Sequence, residues 1–191
     1  MADDLPVLSF PDAQAWEGWL TAQPPEAPGV WMKIAKKGSG RSTVTYSEAL
    51  DVALCHGWID GQKGSFDAAY FLQRFTPRRA RSRWSKVNVE RVGHLTAAGR
   101  MAAAGLRQVE LARADGRWEA AYAGQRSATV PPDLAAALAA DSAAQTAFDA
   151  LTGADRYSIL YRVGEAKRPV TRAARIEKYV AALAQGQPIR R

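Results

Sequence analysis

Residues 58–75 read WIDGQKGSFDAAYFLQRF. Two parts of this stretch have strand composition, Trp58-Ile59-Asp60 and Ala68 to Phe75, and Gly61 and Gly64 lie between them. Strands joined through so short a connection run antiparallel. Alternation along the second strand puts Tyr70, Leu72 and Arg74 on one side and Phe71, Gln73 and Phe75 on the other. Upstream, Thr45 and Glu48 form a T-x-x-E capping box for a helix through Ala49, Leu50, Ala53 and Leu54, and Gly57 is placed to end it. Val30 to Lys36 reads as a strand in which Val30, Met32 and Ile34 alternate with Trp31, Lys33 and Ala35. Before it, Phe10-Pro11-Asp12 opens a short helix that Asp12 caps, with Trp16, Trp19 and Leu20 on one face. The order helix–strand–helix–strand–strand is an α+β pattern, with a small, mainly antiparallel sheet and packed helices.

Downstream the chain turns helical from Ser85, with Val92, Leu95 and Gly99 sharing a face, and a second stretch runs from Met101 to Ala114 and stops at Asp115-Gly116. Residues 123–132, AGQRSATVPP, read as a linker. Beyond it the pattern is all helical. Asp133 caps one helix, Ser142 to Leu151 makes another, Tyr157, Leu160 and Tyr161 mark a third, and Thr171 caps a last one after Pro169, with Ile176, Val180 and Leu183 inward. The expected organisation is therefore an α+β domain over residues 1–125 and an all-helical C-terminal subdomain over residues 133–191.

The 191 residues suffice for one domain or a domain with an appendage, and a 47% hydrophobic content supports an ordinary core. Net charge is +7, but residues 1–28 hold Asp3, Asp4, Asp12, Glu17 and Glu26 and no Lys or Arg, so the other 14 acids face all 26 cations. That balance favours anionic partners: a small anionic molecule, nucleic acid, acidic lipid or acidic protein. It equally describes a solvated basic surface. A single cysteine, Cys55, excludes an intrachain disulfide and fits a reducing compartment. With no signal segment and no apolar run of membrane-spanning length, the expected location is cytoplasmic.

The densest charge is in residues 70–91, YFLQRFTPRRARSRWSKVNVER, where seven cations face Glu90 alone among four aromatic rings. Arg forks bind phosphate or carboxylate at two points, and flat aromatic faces stack rings. Thr76-Pro77 holds Arg74 and Arg78 in fixed relation, Trp84 supplies a face, and Ser85 to Asn88 begins a helix. The expected ligand site is Arg74, Arg78, Trp84, Ser85 and Asn88, joined by Lys33, Trp58 and Asp60. The competing reading is an Arg–carboxylate network that clamps sheet to helices, with Asp60 pairing a nearby arginine. Lys167, Thr171, Arg172 and Arg175 form a second basic group, and Arg172, Arg175 and Lys178 at helical spacing read as a solvated flank. The basic loop Lys36–Ser42 lacks the lysine and following helix of a phosphate loop and reads as a mobile connection. Cys55-His56 is not a nucleophile–base pair, because adjacent helical side chains diverge by about 100°. No metal, cofactor or catalytic group is assigned: two His and one Cys lack ligand spacing.

Several segments in order carry a resemblance: Gly29-Val30-Trp31, Tyr46-Ser47-Glu48-Ala49-Leu50-Asp51, Ala53 to Gly61 (ALCHGWIDG), Arg74-Phe75-Thr76-Pro77-Arg78, Trp84-Ser85-Lys86-Val87-Asn88, and Ala166 to Arg172 (AKRPVTR) with Arg175-Ile176. The chain resembles the YdeI/OmpD-associated family, also called bacteriocin-protection proteins, over nearly its whole length. The resemblance implies a small bacterial cytoplasmic protein linked to tolerance of antimicrobial peptides and envelope stress. It carries over no catalytic residue, and His56 stands where the family commonly has Phe. It implies a shared structural or binding role for Lys167, Thr171 and Arg172. The expectation is a protein that binds an anionic ligand without catalysis. The alternatives are a nucleic-acid-binding module and an enzyme on a phosphorylated small molecule, the latter needing a pocket where Asp60 meets Arg74 or Arg78.

Overall fold

The first unit, Met1–Ala121, is built on a four-stranded sheet of β1 (Val7–Leu8), β2 (Val30–Ala35), β3 (Trp58–Ser65) and β4 (Tyr70–Pro77), in the order β1-β2-β4-β3. The computed structural model describes residues 5–125 and 127–189, so Asp3 and Asp4 of the acidic N-terminal stretch lie outside the described residues. β1 pairs parallel to β2, and both other pairings are antiparallel. The fold is α+β, with a mixed sheet.

The hairpin forms, but the glycines do not make its turn. β3 runs on through Gly61 and Gly64 to Ser65, and the connection is residues 66–69. Opposite Phe75 and Gln73 of β4 stand Asp60 and Lys63, so β3 spends three steps where β4 spends two. This is a β-bulge. Its loosened carbonyls are held by one buried side chain: the Gln73 amide nitrogen donates to Gly61 O at 2.9 Å and to Gln62 O at 3.2 Å. A buried polar group without such partners costs about 1–3 kcal/mol, so the pairing explains a glutamine in the sheet interior.

Four helices complete this unit: α1 (Ala13–Thr21), α2 (Tyr46–Cys55), α3 (Lys86–Ala97) and α4 (Ala103–Ala114). The Asp12 carboxylate accepts from Ala15 N at 2.8 Å, and the Thr45–Glu48 box closes in both directions. α3 ends two residues before Gly99, which the sequence pattern placed on its face. Gly99 has φ +66° and follows the helix, and the Arg100 N–H returns to Leu95 O, which is a Schellman ending rather than a face position. Trp16, fully buried, gathers the core. It stacks on Trp19 at 5.3 Å, meets Trp58 and Phe75 at 6.2 and 5.5 Å, and donates its Nε1 proton to Ala49 O at 3.0 Å. α4 lies against the end of α2 through Gly105, with the Ala102 N–H donating to Cys55 O at 3.1 Å.

The second unit, Tyr122–Arg191, holds α5 (Pro132–Ala139), α6 (Ser142–Asp149), α7 (Gly153–Glu165) and α8 (Pro169–Ala184) around Leu134, Leu138, Phe148, Ile159 and Val163. Residues 123–132, expected as a linker, run within this unit: Ala128 and Val130 pack on its core, and the Tyr157 hydroxyl donates to Ala123 O at 3.1 Å. Two expected caps sit elsewhere. α5 and α8 each begin at a proline, whose fixed φ suits the first helical position and whose missing N–H is needed least there. Asp133 and Thr171 therefore fall inside the first turn. The caps of α6 and α7 are Asp141, which accepts from Ala144 N, and Thr152, which accepts from Asp155 N.

Candidate functional site

The register of β2 and β4 sorts the expected site residues by face. Lys33 stands opposite Leu72, and Arg74 opposite Trp31, on one face; Gln73, Phe75 and Phe71 lie on the core face with Met32, Val30 and Ile34. Arg74 lies over Gly61, where an added Cβ would be 3.7 Å from its side-chain carbons. Asp60 is on the core face opposite Phe75, so it does not meet Arg74. It accepts the Tyr46 hydroxyl at 2.7 Å instead of the expected guanidinium partner. Burial and that carboxylate together push the Tyr46 hydroxyl well above its usual range. Trp58 belongs to the aromatic core, 5.7 Å from Trp19.

Arg78, Trp84, Ser85 and Asn88 form a separate group just after β4. Arg78 is only 6% exposed and its guanidinium lies 3.5 Å over the Trp84 ring. Trp84 is itself buried and meets Trp118 edge-on at 4.8 Å, with Arg113 beyond at 5.3 Å from Trp118. The result is a stack that runs from the buried Arg78–Trp84 pair through the half-buried Trp118 to the exposed Arg113. Its backbone is tied as well: Arg78 N–H donates to Gly57 O at 2.9 Å, and Arg117 Nη1 to Ser82 O at 2.9 Å. The Ser85 hydroxyl caps α3 by accepting from Asn88 N at 3.2 Å.

In the second basic group, Arg172 grips Asp133 at two points, 2.5 and 2.8 Å, and donates Nη1 to Val163 O at 2.9 Å. Arg175 donates to Arg162 O at 2.5 Å. These are ties between helices rather than a solvated flank; Lys167 and Thr171 are exposed. The Arg172 guanidinium holds the Asp133 carboxyl below the usual carboxylate range. A depressed folded value adds stability above the unfolded value of about 3.9, and that stability is lost as pH falls through the folded value. Amide protection over residues 132–184, taken relative to the intrinsic exchange rate at each pH from about pH 5 to pH 2, should therefore fall in the wild type. Asp133→Asn should exchange faster at neutral pH and show a flatter acid limb; identical acid limbs would show that the pair carries no such linkage.

Cys55 and His56 do not cooperate. Burial pushes the Cys55 thiol up, which disfavours a thiolate, and His56 Nε2 lies 3.2 Å from Glu17 Oε1. A cleft of about 470 Å³ beside α3 contains Arg91 and Arg100, but both face Asp51, at 2.6 and 3.9 Å.

A basic hollow lies at the far end of the sheet. It measures about 590 Å³ and is lined by Lys36, Lys37, Lys63, Gly64, Ser65 and Phe71, three cations and no carboxylate. Lys63 Nζ sits 4.3 Å over the Phe71 ring, and Lys36 Nζ reaches Asp67 O at 2.6 Å. The nearest acid in sequence, Asp67, is spent on the turn: its carboxylate accepts from Ala69 N and Tyr70 N at 2.8 and 2.7 Å. On the opposite face of the same hairpin, Lys33 Nζ is held 4.7 Å from the Phe66 ring and 4.8 Å from that of Tyr70. In sequence the Lys36–Ser42 loop reads as a connection, with nothing that joins it to Lys63. The available signal was the strand register, which brings positions nearly thirty residues apart to one sheet end.

Comparison with known families divides the chain in two. Residues 8–108, more than half of the chain, match the model of a domain of unknown function, DUF8412. The chain belongs to the DUF8412 family. The DUF8412 segment contains β2, β3 and β4 and the lysine-lined hollow. Residues 127–186 match a second family, described as Bacteriocin-protection, YdeI or OmpD-Associated, which is the family the sequence resembles. Of the motifs that carry that resemblance, those from Gly29 to Asn88 lie in the DUF8412 match and those from Ala166 to Ile176 in the other. No curated protein and no solved structure matched. Among the described residues, no helix is long and apolar enough to cross a membrane.

Proposed function

We propose that this protein serves in bacteriocin or antimicrobial-peptide tolerance and acts by binding an anionic ligand, without catalysing a reaction. The observation that carries the reading is the hollow at the sheet end, whose three lysines are matched by no carboxylate in its lining. Like charges so close repel until an anion offsets them. Phe71 gives the hollow an apolar wall, which favours contact over full hydration of a bound group. The tolerance role rests on the match at residues 127–186 and on the resemblance of the motifs.

Pyrophosphate is a suitable probe because it offers several oxygens to several ammonium groups. Calorimetric titration of the full chain at low salt should show saturable binding that weakens as salt rises. Lys37→Gln with Lys63→Gln should lower the affinity at least tenfold, since charge-assisted bonds contribute about 1.5–3 kcal/mol each when formed. Both side chains lie at the surface, so melting should be unchanged. Cells carrying that double variant should then lose survival under a bacteriocin challenge. Absent pyrophosphate binding, or binding indifferent to both lysines, would remove the proposal.

A further inference from the structure

We infer that the sheet end binds single-stranded nucleic acid, which passes round the β3–β4 hairpin so that its phosphates meet Lys36, Lys37 and Lys63 on one face and Lys33 on the other. The inference rests on the anion-binding reading of the hollow and extends it to a class of ligand.

Three observations carry it. First, the cations lie on both faces. Lys63 and Phe71 are on the side of Gln73, whereas Lys33 is on the side of Leu72. A single phosphate or diphosphate in the hollow cannot reach across the sheet to Lys33. Residues 33–41 and 63–71 together hold five cations and one carboxylate, and that carboxylate is bonded to its own turn. The complement of such an end is a polyanion with repeated charges. Secondly, an aromatic ring stands between the two faces. Phe66, in the connection between the strands, is 47% exposed and has Lys33 over its ring. Every base has a face that can stack on such a ring, while lysines follow the backbone. Thirdly, shape selects among polyanions. A DNA duplex is stiff over about 150 base pairs, and the groove that admits a two-stranded ribbon is too narrow for this end, whose cations sit at β2 and β3 with β4 between them. An anionic bilayer presents one plane, and the hairpin end offers it one exposed large apolar side chain, Phe66, next to Asp67. A flexible single strand can turn round the end and use both faces.

The test is fluorescence anisotropy of the full chain with a labelled deoxythymidine oligonucleotide of about 12 nucleotides, within the usual range of single-strand site sizes. Four lysine–phosphate contacts predict a slope of about −2.8 for log K against log salt, at about 0.7 per contact on a single strand. Lys33→Gln should flatten the slope by about 0.7, and Phe66→Ala should weaken binding about tenfold at constant slope. Phe66 and Lys63 are exposed, so Phe66→Ala and Lys63→Gln remain interpretable even if Lys33→Gln lowers the melting temperature. Equal or tighter binding of the duplex of the same sequence would overturn the inference, as would preferential co-sedimentation with phosphatidylglycerol vesicles. Pyrophosphate binding without oligonucleotide binding would overturn it while leaving the anion hollow standing. Failure of both probes would remove both readings.

Discussion

Replacing Gly105 by alanine will destabilise the first unit by about 3 kcal/mol or more, at the upper end of what overpacking does. A Cβ at this position would sit 2.2 Å from Cys55 O and 2.8 Å from both Cys55 C and Leu54 O. All three atoms are backbone, so no side chain can rotate away. The only relief is to lift α4 from the end of α2, which also breaks the bond from Ala102 N to Cys55 O. Gly93 provides the control. It lies within α3, and a Cβ there meets nothing within 4 Å. Gly93→Ala should stabilise by about 0.5–1 kcal/mol, since glycine is a poor helix former. All six tryptophans fall at or before residue 118, so intrinsic tryptophan fluorescence during urea unfolding reads the first unit alone. Midpoints moving in opposite directions are expected. Equal midpoints for Gly105→Ala and the wild type would mean that the helices are not in contact as described.

Trp16→Ala is expected to remove about 3–5 kcal/mol, the range for a fully buried large aromatic. Trp16 touches Phe10, Trp19, Trp58 and Phe75. It therefore joins α1 to both strands of the hairpin, and its proton on Ala49 O joins it to α2. The truncation leaves a cavity and removes the side-chain bond to Ala49 O, whose helical bond within α2 remains. Domains are stable by about 5–15 kcal/mol, so the variant should sit near its unfolding threshold at 37 °C. Trp16→Phe keeps most of the apolar volume but loses the donor, and its loss should be clearly smaller. A urea midpoint for Trp16→Ala within error of the wild type would sink this account of the core.

Much of this was legible in local sequence because the physics involved is local. Asp12 and the Thr45–Glu48 box cap helices through bonds spanning three residues, and alternation in Val30 to Lys36 needs only the pleat. What sequence reading missed depends on distant partners or on length. β1 has two residues, too few for any alternation to show. Gly61 and Gly64 resembled turn residues, yet β3 continues through both because Gln73, on the neighbouring strand, satisfies the irregular carbonyls. Arg78 and Trp84 carry surface composition, but their mutual stacking removes both from solvent. The Lys36–Lys37–Lys63 hollow was hidden for the same reason: its members meet only once the register is known.

The bulge at Asp60–Lys63 has a consequence for charge. β3 is the edge strand, held on one side only. In an even ladder of the same sequence, Lys63 would fall opposite Leu72, beside Lys33, and the hollow would lose one of its three cations. Slippage by a single step would thus carry a positive charge from one surface to the other with no change in composition. What prevents it is the Gln73 side chain, 4% exposed and bonded to the two carbonyls. An uncharged amide, out of reach of any ligand, decides on which side of the sheet that charge appears.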